Sequence, residues 1–335
     1  MILVGELPNG YEAWARGPAW AANCTAGSHV HNHERAELMS NEIDIYTTHF
    51  GLTHRPFNLV PDPDFLFWGP AHRRAFSILE YGILTKAPIT LLTGDVGAGK
   101  TTLLRHLLRV IDQDVRIGLV SNAHGQPDQL LRWVLHALDV NTSAEQSYVD
   151  LFSQLQNFII AEYAAGRRVV LIFDEAQNLG RDALEELRML TNINSEKDEL
   201  LQLILVGQPE LRDIVRRPDM TQFAQRVAAG FHIGPMTESV VRDYIGHRLT
   251  VAGGSPDLFT PGACAAIHAH TGGVPRLVNQ LCDLSLVYAF TAEAATVTED
   301  TVNEVIDDGV FFGGGLASGE PLRVINPVPR SSIVQ

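Results

Sequence analysis

The stretch Leu91–Leu104, LLTGDVGAGKTTLL, is the most informative part of this chain for its fold class. An apolar run ends at Gly94, four residues pass, and the residues GKTT then open a second apolar run. The spacing fits G-x-x-x-x-G-K-[ST], in which glycines let successive backbone N–H groups converge on a phosphate. The motif requires a strand before the loop and a helix after it, and both patterns are present. The stretch therefore predicts a P-loop fold.

Each part of this loop has an expected role in binding ATP. Lys100 is predicted to reach the β- and γ-phosphates, and the hydroxyl of Thr101 to bind Mg²⁺. The helix that follows adds the positive end of its dipole. A chance glycine-rich turn is the alternative, and the flanking elements argue against it. The predicted nucleotide-binding residues are Gly94, Asp95, Val96, Gly97, Ala98, Gly99, Lys100, Thr101 and Thr102.

A pair of carboxylates ends the apolar run VVLIFDEAQ at residues 169–177. The carboxyl end of a parallel strand is where α/β sheets bind ligands. Asp174 is predicted to hold Mg²⁺ through its water shell, and Glu175 to orient and deprotonate the attacking water. An ordinary acidic strand end is the alternative. The sequence contains neither an Asn-Lys-x-Asp guanine motif nor a Leu-Ser-Gly-Gly-Gln transporter signature, so the pair favours ATP hydrolysis.

Three further polar residues are candidates for the catalytic machinery. Gln208 follows the run LLQLILVG and is predicted to position water at the end of a neighbouring strand. Arg226 precedes the last predicted strand and is a candidate arginine finger acting on a neighbouring subunit, with Arg217 as its rival. Arg276 is expected to contact the γ-phosphate from the start of a helix and to relay the nucleotide state. For each, an ordinary surface or strand-end role is the alternative.

The composition indicates a globular chain with an acidic balance. Hydrophobic residues make up 45% and charged residues 19% of 335 residues, and the formal net charge is −14. This charge opposes contacts with nucleic-acid phosphates, so DNA binding is disfavoured. Three scattered cysteines favour a reducing setting. No apolar run approaches the roughly 20 residues that span a bilayer, and the N-terminus lacks a basic signal-peptide region. We therefore expect a cytoplasmic protein without direct membrane insertion.

Apolar runs alternate with amphipathic stretches from residue 89 to residue 233, which predicts a parallel sheet in an α/β domain. Four helices are predicted after Pro235 and form a small helical domain.

The histidines at 29, 31 and 33 are expected to be solvated rather than to bind a metal. We predict residues 1–38 as a disordered extension or an upstream translation ahead of a start at Met39, residues 39–235 as the nucleotide-binding domain, residues 236–311 as a helical lid, and residues 312–335 as a disordered tail.

These motifs together resemble the AAA+ ATPases, and more narrowly the ExeA-type ATPases, also called general secretion pathway protein A. The similarity covers about residues 49–308 and rests on the ordered set GDVGAGKTTLLR, LIFDEAQNL, LLQLILVGQPEL, FAQRV and GGVPRLVNQLCD. It implies a five-stranded parallel sheet with a helical lid, and ATP and Mg²⁺ bound between them. It also implies a homo-oligomer with Arg226 acting across the interface, Gln208 in the sensor position, and residues 50–57 near the adenine.

Two functions remain open on this resemblance, and a generic signalling ATPase is a third, less favoured one. The full ExeA-type protein continues from its ATPase part through a membrane span into a peptidoglycan-binding domain, whereas only the ATPase part is matched here, so direct cell-wall binding is not expected. Stand-alone relatives accompany exopolysaccharide-export and protein-sorting systems. They favour an assembly or regulatory ATPase with a protein partner in a membrane-associated export system, peripheral to the inner membrane through that partner. The alternative is an ATP-dependent, DNA-binding regulator of transposition.

Overall fold

The computed structural model describes residues 45–60, 62–111, 114–121, 127–193 and 198–313. A sheet within these residues has the order β2-β3-β4-β1-β5, and every neighbouring pair is parallel. The predicted five-stranded parallel sheet is confirmed. Its strands are β1 (Ile89–Gly94), β2 (Val115–Ser121), β3 (Arg168–Asp174), β4 (Leu201–Gly207) and β5 (Val227–Ile233).

The central strands are apolar because helices cover both faces of the sheet. Every position of β1 and β4 is buried, and so are the five interior positions of β3. The edge strands β2 and β5 mix buried and exposed positions. The uninterrupted apolar runs of the sequence therefore belong to the middle of the sheet, as is typical of parallel sheets.

Helices precede and connect the strands in the described part of the α/β region. Short 3₁₀ turns lie at Pro63–Phe65, Ala176–Leu179 and Pro218–Met220. The helices are α1 (Pro70–Leu84), α2 (Lys100–Val110), α3 (Pro127–Ala137), α4 (Tyr148–Ala164), α5 (Gly180–Leu190), α6 (Pro209–Val215) and α7 (Thr221–Arg226).

Sequence analysis assigns no element to residues 70–84, where the structure has α1. This helix shares a core with β1 and α2 through its buried residues Ala75, Leu79 and Ile83. Gly82 lets the helix approach β1 closely, since a Cβ at this position would lie 2.1 Å from the hydroxyl oxygen of Thr90. Helix α1 is therefore a fixed part of the cover of the sheet.

The direction in which the chain crosses the sheet changes at β1. This strand lies between β4 and β5, and the chain leaves it for the edge strand β2. Such a change opens a crevice outside the carboxyl ends of the strands. The phosphate loop follows β1, Asp174 ends β3 and Gln208 follows β4. Three of the predicted site segments thus meet at the carboxyl ends of the strands, called the carboxyl edge of the sheet below.

Four helices follow β5: α8 (Glu238–Val251), α9 (Pro261–Thr271), α10 (Pro275–Thr291) and α11 (Glu299–Asp307). The side chains of Thr260 and Thr298 accept hydrogen bonds from the first turns of α9 and α11, a usual way to begin a helix. These helices have a core of their own, which also contains Tyr46 and Phe57 from the segment ahead of α1. The predicted boundary at residue 235 falls between β5 and α8 and stays a prediction.

Several predictions made for the ends of the chain fall on residues that the structure does not describe. They concern the extension at residues 1–38 with its three histidines, and the tail at 312–335 apart from Phe312 and Gly313. Within the described ranges, no helix combines the length and the hydropathy needed to cross a bilayer.

Candidate functional site

The loop after β1 has the backbone of a phosphate-binding loop. Gly97 and Gly99 have φ values of 80° and 87°, a left-handed conformation that favours glycine. A Cβ at Gly97 would lie 2.5 Å from the Cβ of Arg276, so this position also needs glycine for space. Gly99 caps α2, whose first N–H groups have no partners within the helix and face the end of the loop.

Lys100 is held inside the loop rather than on the surface. Its Nζ donates to the carbonyl oxygens of Gly94 at 2.7 Å and Asp95 at 2.9 Å. The residue is only 6% exposed. Burial lowers the pKa of Lys100, and the nearby carboxylates of Glu175 and Asp174 oppose this shift. The ammonium group is therefore placed at the loop before a ligand arrives.

Thr101 and Asp174 bring two oxygen donors together. The Thr101 hydroxyl donates to Oδ2 of Asp174 at 3.4 Å, across the gap between α2 and the end of β3. Burial raises the pKa of Asp174, an effect that a cation at this carboxylate would offset. Hydroxyl and carboxylate oxygens are donors that Mg²⁺ prefers. The residues present therefore fit the predicted ion.

Glu175 belongs to a network of amide side chains. Its Oε2 accepts hydrogen bonds from Nε2 of Gln177 at 2.6 Å and from Nε2 of Gln208 at 3.1 Å. The Oε1 of Gln177 in turn accepts from the backbone N–H of Gln208 at 3.0 Å. Burial alone would raise the pKa of Glu175, but these amides and the charge of Lys100 outweigh it and lower the pKa. The carboxylate is thus ionised and fixed in position.

A cleft extends from the phosphate loop toward the helical lid. Residues 50–57 are predicted to lie near the adenine, and this stays a prediction. Phe57 is 1% exposed in the core of the lid helices, and Phe50 packs against that core. The three residues that follow, 58–60, line the cleft. The lining residues outside the loop include Asn58, Leu59, Val60, Phe65, Phe67, His72, Tyr244, Arg248 and Asn279.

The lid contacts the phosphate loop directly through the start of α10. The N–H of Arg276 donates to the carbonyl oxygen of Gly97 at 3.3 Å, and its side chain lines the cleft. The predicted position of Arg276 beside the phosphates is thus compatible with the geometry. Its contact with a γ-phosphate stays a prediction.

Arg226 lies far from the phosphate loop of its own chain. Ile89, the first residue of β1, pairs with Val227, so Arg226 is at the amino edge of the sheet and the loop at the carboxyl edge. A six-residue strand separates these edges by about 17–20 Å. The guanidinium donates to Oδ1 of Asn192 at 2.7 Å and lies 3.9 Å from Oε1 of Glu199. An action of Arg226 on a neighbouring subunit stays a prediction.

The rival arginine is engaged locally. Arg217 donates from Nε and one terminal nitrogen to the two carboxylate oxygens of Asp219, at 3.1 and 3.2 Å. The side chain is 56% exposed. An exposed pair of this kind contributes little to stability and is easily exchanged. The choice of Arg226 over Arg217 stays a prediction.

Sequence reasoning missed two residues at this site. Gln177 is hydrogen-bonded to both Glu175 and Gln208. The only feature of the sequence that pointed to it is its position in DEAQ, two residues after the predicted base. His72 donates from Nε2 to the carbonyl oxygen of Ala98 at 3.0 Å, and no spacing in the sequence links α1 to the loop. Among the described residues, no group of three or more His, Cys, Asp or Glu side chains could hold a metal ion.

Comparisons with known proteins agree with this fold. A family model described as an AAA domain matches residues 84–215. General secretion pathway protein A of Aeromonas hydrophila is 38% identical over 277 residues, which are 81% of this chain and 51% of that protein. The structure of Cdc6p from Pyrobaculum aerophilum is similar with a TM-score of 0.57 and 16% identity, over 79% of this chain and 71% of that chain. The structure of Drosophila ORC bound to DNA is similar with a TM-score of 0.60 and 15% identity, over 93% and 75%.

The fold is that of P-loop nucleoside triphosphatases of the AAA+ class. Over most of its length the chain is similar to general secretion pathway protein A. It spans about half the length of that relative. At 15–16% identity, the two solved structures show the fold alone.

Proposed function

We propose that this chain binds MgATP in the cleft between the sheet and the lid and hydrolyses it to ADP and phosphate. The observation that carries the proposal is the meeting of Lys100, the Thr101–Asp174 pair and the amide-held Glu175 at one sheet edge. Phosphate binding alone would need only the loop. The carboxylate fixed beside it supports hydrolysis.

The phosphates are bound by the loop and the start of α2. Backbone N–H groups of the loop bind the phosphate oxygens, and the ammonium group of Lys100 neutralises the β- and γ-phosphates. Because Lys100 already lies in the loop, it exchanges its carbonyl partners for phosphate oxygens without a large movement. The base and ribose occupy the wall formed by Asn58, Val60 and the lid.

Mg²⁺ would be held by the hydroxyl of Thr101 and, through water, by Asp174. When bound, it neutralises charge that develops on the transferring phosphoryl group. Asp174 and Thr101 also keep that side of the cleft oriented through their mutual hydrogen bond.

Glu175 orients the attacking water and accepts its proton, while Gln208 supplies the sensor contact. The two side chains lie side by side, because Nε2 of Gln208 donates to the carboxylate of Glu175 at 3.1 Å, and this supports their acting on one water. Arg226, which lies far from its own loop, would complete the charge around the γ-phosphate of a neighbouring subunit. The active unit is therefore a homo-oligomer.

We propose further that ATP turnover drives the assembly or regulation of a secretion or exopolysaccharide-export system, with the chain cytoplasmic and bound to a membrane-associated partner. The relation to general secretion pathway protein A supports this role. Regulation of DNA transposition is the weaker candidate, because the chain carries a net charge of −14. Duplex-DNA binding by the ATP-bound protein, measured at two salt concentrations, separates the roles: tight, salt-sensitive binding would favour the DNA role.

The nucleotide-binding step is tested with Lys100→Ala. We expect this variant to lose ATP and ADP binding in calorimetry, because the phosphates lose their only buried ammonium partner within the described part of the loop. Arg73→Ala, an exposed position on α1, is the matched control and should bind ATP as the wild type does. Undiminished ATP affinity in the Lys100→Ala protein would rule out the phosphate-loop assignment.

A further inference from the structure

Helix α1 carries a histidine whose contact with the phosphate loop is not explained by packing alone. His72 is only 8% exposed, in the first turn of α1, and its ring borders the cleft. Its Nε2 lies 3.0 Å from the carbonyl oxygen of Ala98. Since a carbonyl oxygen only accepts, the proton is on Nε2. Burial lowers the pKa of His72, so the ring is a neutral donor near pH 7.

The bond to Ala98 fixes the orientation of one peptide unit of the loop. The carbonyl of Ala98 and the N–H of Gly99 belong to the same planar unit and point in opposite directions, since the described backbone has no cis peptide bond. With the carbonyl directed at His72 on α1, the Gly99 N–H therefore points away from α1. No acceptor for this N–H is found within the described ranges of the chain.

The residue at position 99 is matched to this arrangement. Gly99 has a φ of 87°, a conformation that favours glycine. Because glycine has no Cβ, the peptide units on both sides of it rotate more freely than those of other residues. A Cβ at this position would lie 2.9 Å from Nε2 of His72, so the imidazole occupies the space that any side chain would need. The hydrogen bond from His72 thus restricts the backbone rotation that Gly99 would otherwise allow in the loop.

Helix α1 is a rigid support for this contact. Its residues Ala75 and Leu79 are fully buried in the same core as Ala98 and Leu103, so the loop and the helix cannot move apart without opening that core. A donor on such a support holds the peptide unit in its binding orientation before a nucleotide arrives, which reduces the entropy lost on binding.

We propose that His72 is a positioning residue for phosphate binding: by holding the Ala98 carbonyl it presents the Gly99 N–H to the phosphates of the nucleotide. The inference rests on the proposed function, because it assigns His72 to the ATP site described above. It predicts an effect on ligands with phosphates and none on adenosine.

The experiment compares His72→Met with His72→Gln, which have similar shapes but differ in the terminal donor. We expect His72→Met to weaken ATP and ADP binding by about three- to tenfold, the effect of one neutral hydrogen bond. His72→Gln should restore most of this affinity. Adenosine, used as a competitor, should bind all three proteins equally, and KM for ATP should rise in His72→Met with little change in kcat.

Arg73→Met, one residue along the same helix and exposed, is the control. Measurements are made below the unfolding transitions of the nucleotide-free variants, so that a loss of fold is not counted as a loss of affinity. Wild-type ATP affinity in His72→Met, no recovery in His72→Gln, or an equal loss for adenosine would each overturn the role of His72. A wild-type protein that binds no nucleotide would instead overturn the proposed function, and with it this inference.

Discussion

Glu175 has a strained backbone and one carboxylate oxygen that accepts two hydrogen bonds. Its φ of 56° places a non-glycine residue in the left-handed region, a conformation that costs about 1–3 kcal/mol and is found most often at functional sites. The two amides of Gln177 and Gln208 meet on its Oε2, which leaves Oε1 for a further partner. The hydrogen bonds thus fix the carboxylate of a residue that lines the cleft.

The role of Gln177 can be separated from that of the base. We expect Gln177→Met to lower kcat by about ten- to a hundredfold, the effect of losing a hydrogen bond to a charged group, with ATP affinity unchanged. Steady-state ATPase assays and calorimetry measure the two quantities. The exposed neighbour Asn178→Ala is the control and should keep the wild-type kcat. An unchanged kcat in Gln177→Met would show that Glu175 is positioned without it.

Sequence spacing predicted the residues whose partners lie within one motif. Lys100 bonds to carbonyls five and six residues away, and Asp174 lies at a strand end that the apolar run marks. The contact between His72 and Ala98 depends on how α1 packs on the sheet, which no local pattern encodes. The burial of Phe57 in the core of the lid helices, beside the cleft-lining residues 58–60, depends on tertiary packing in the same way.

At the scale of elements, a buried arginine joins the lid to the wall of the cleft. Arg248 on α8 donates from Nε to the carbonyl oxygen of Pro56 and from NH1 to the hydroxyl of Tyr244 at 2.9 Å. Its guanidinium also lies 4.8 Å from the ring centroid of Phe65. The Tyr244 hydroxyl donates to Asn279 on α10. Two lid helices and the cleft wall are thus bonded into one unit.

Loss of this arginine should destabilise the fold. We expect Arg248→Met to lower the free energy of unfolding by about 2–3 kcal/mol, because buried hydrogen bonds to a charged group are lost while the apolar stem is kept. Urea unfolding measures the change. Arg242→Met, exposed on the same helix, should stay within about 0.5 kcal/mol of the wild type. Equal stabilities of the two variants would contradict a structural role for the Arg248 network.

The sheet and the lid helices were predictable because the apolar patterns of their sequences run without interruption over whole elements. Strand β4 is buried at all seven positions, and α10 begins at a proline after two glycines. Helix α1 was missed although it has a proline at its start and three core residues at helical spacing.

At the scale of the whole molecule, the parts of the proposed active centre lie at opposite edges of one sheet. The phosphate loop is at the carboxyl edge of β1, and Arg226 is at the amino edge of β5. No rotation of a side chain closes this distance. If Arg226 acts on ATP, a second copy of the chain must bring it to the loop, and Arg226 must exchange its bond to Asn192 for that contact.

Mixing two inactive variants tests this arrangement. We expect Arg226→Ala to bind ATP normally and to lose most ATPase activity in the assembled state, because the neighbouring γ-phosphate lacks its cation. Mixed with Glu175→Gln, which keeps its arginine, it should recover activity, since some interfaces then carry both residues. A mixture as inactive as its components, with assembly verified by light scattering, would argue against action between subunits.

Single-turnover hydrolysis by Glu175→Gln tests whether this chain hydrolyses ATP with Glu175 as the base. Glutamine keeps the shape and the amide contacts of the network but cannot accept a proton. We expect the wild type to convert bound ATP to ADP, and the variant to bind ATP with similar affinity and leave it intact. A variant that hydrolyses ATP at the wild-type rate would show that Glu175 is not the base.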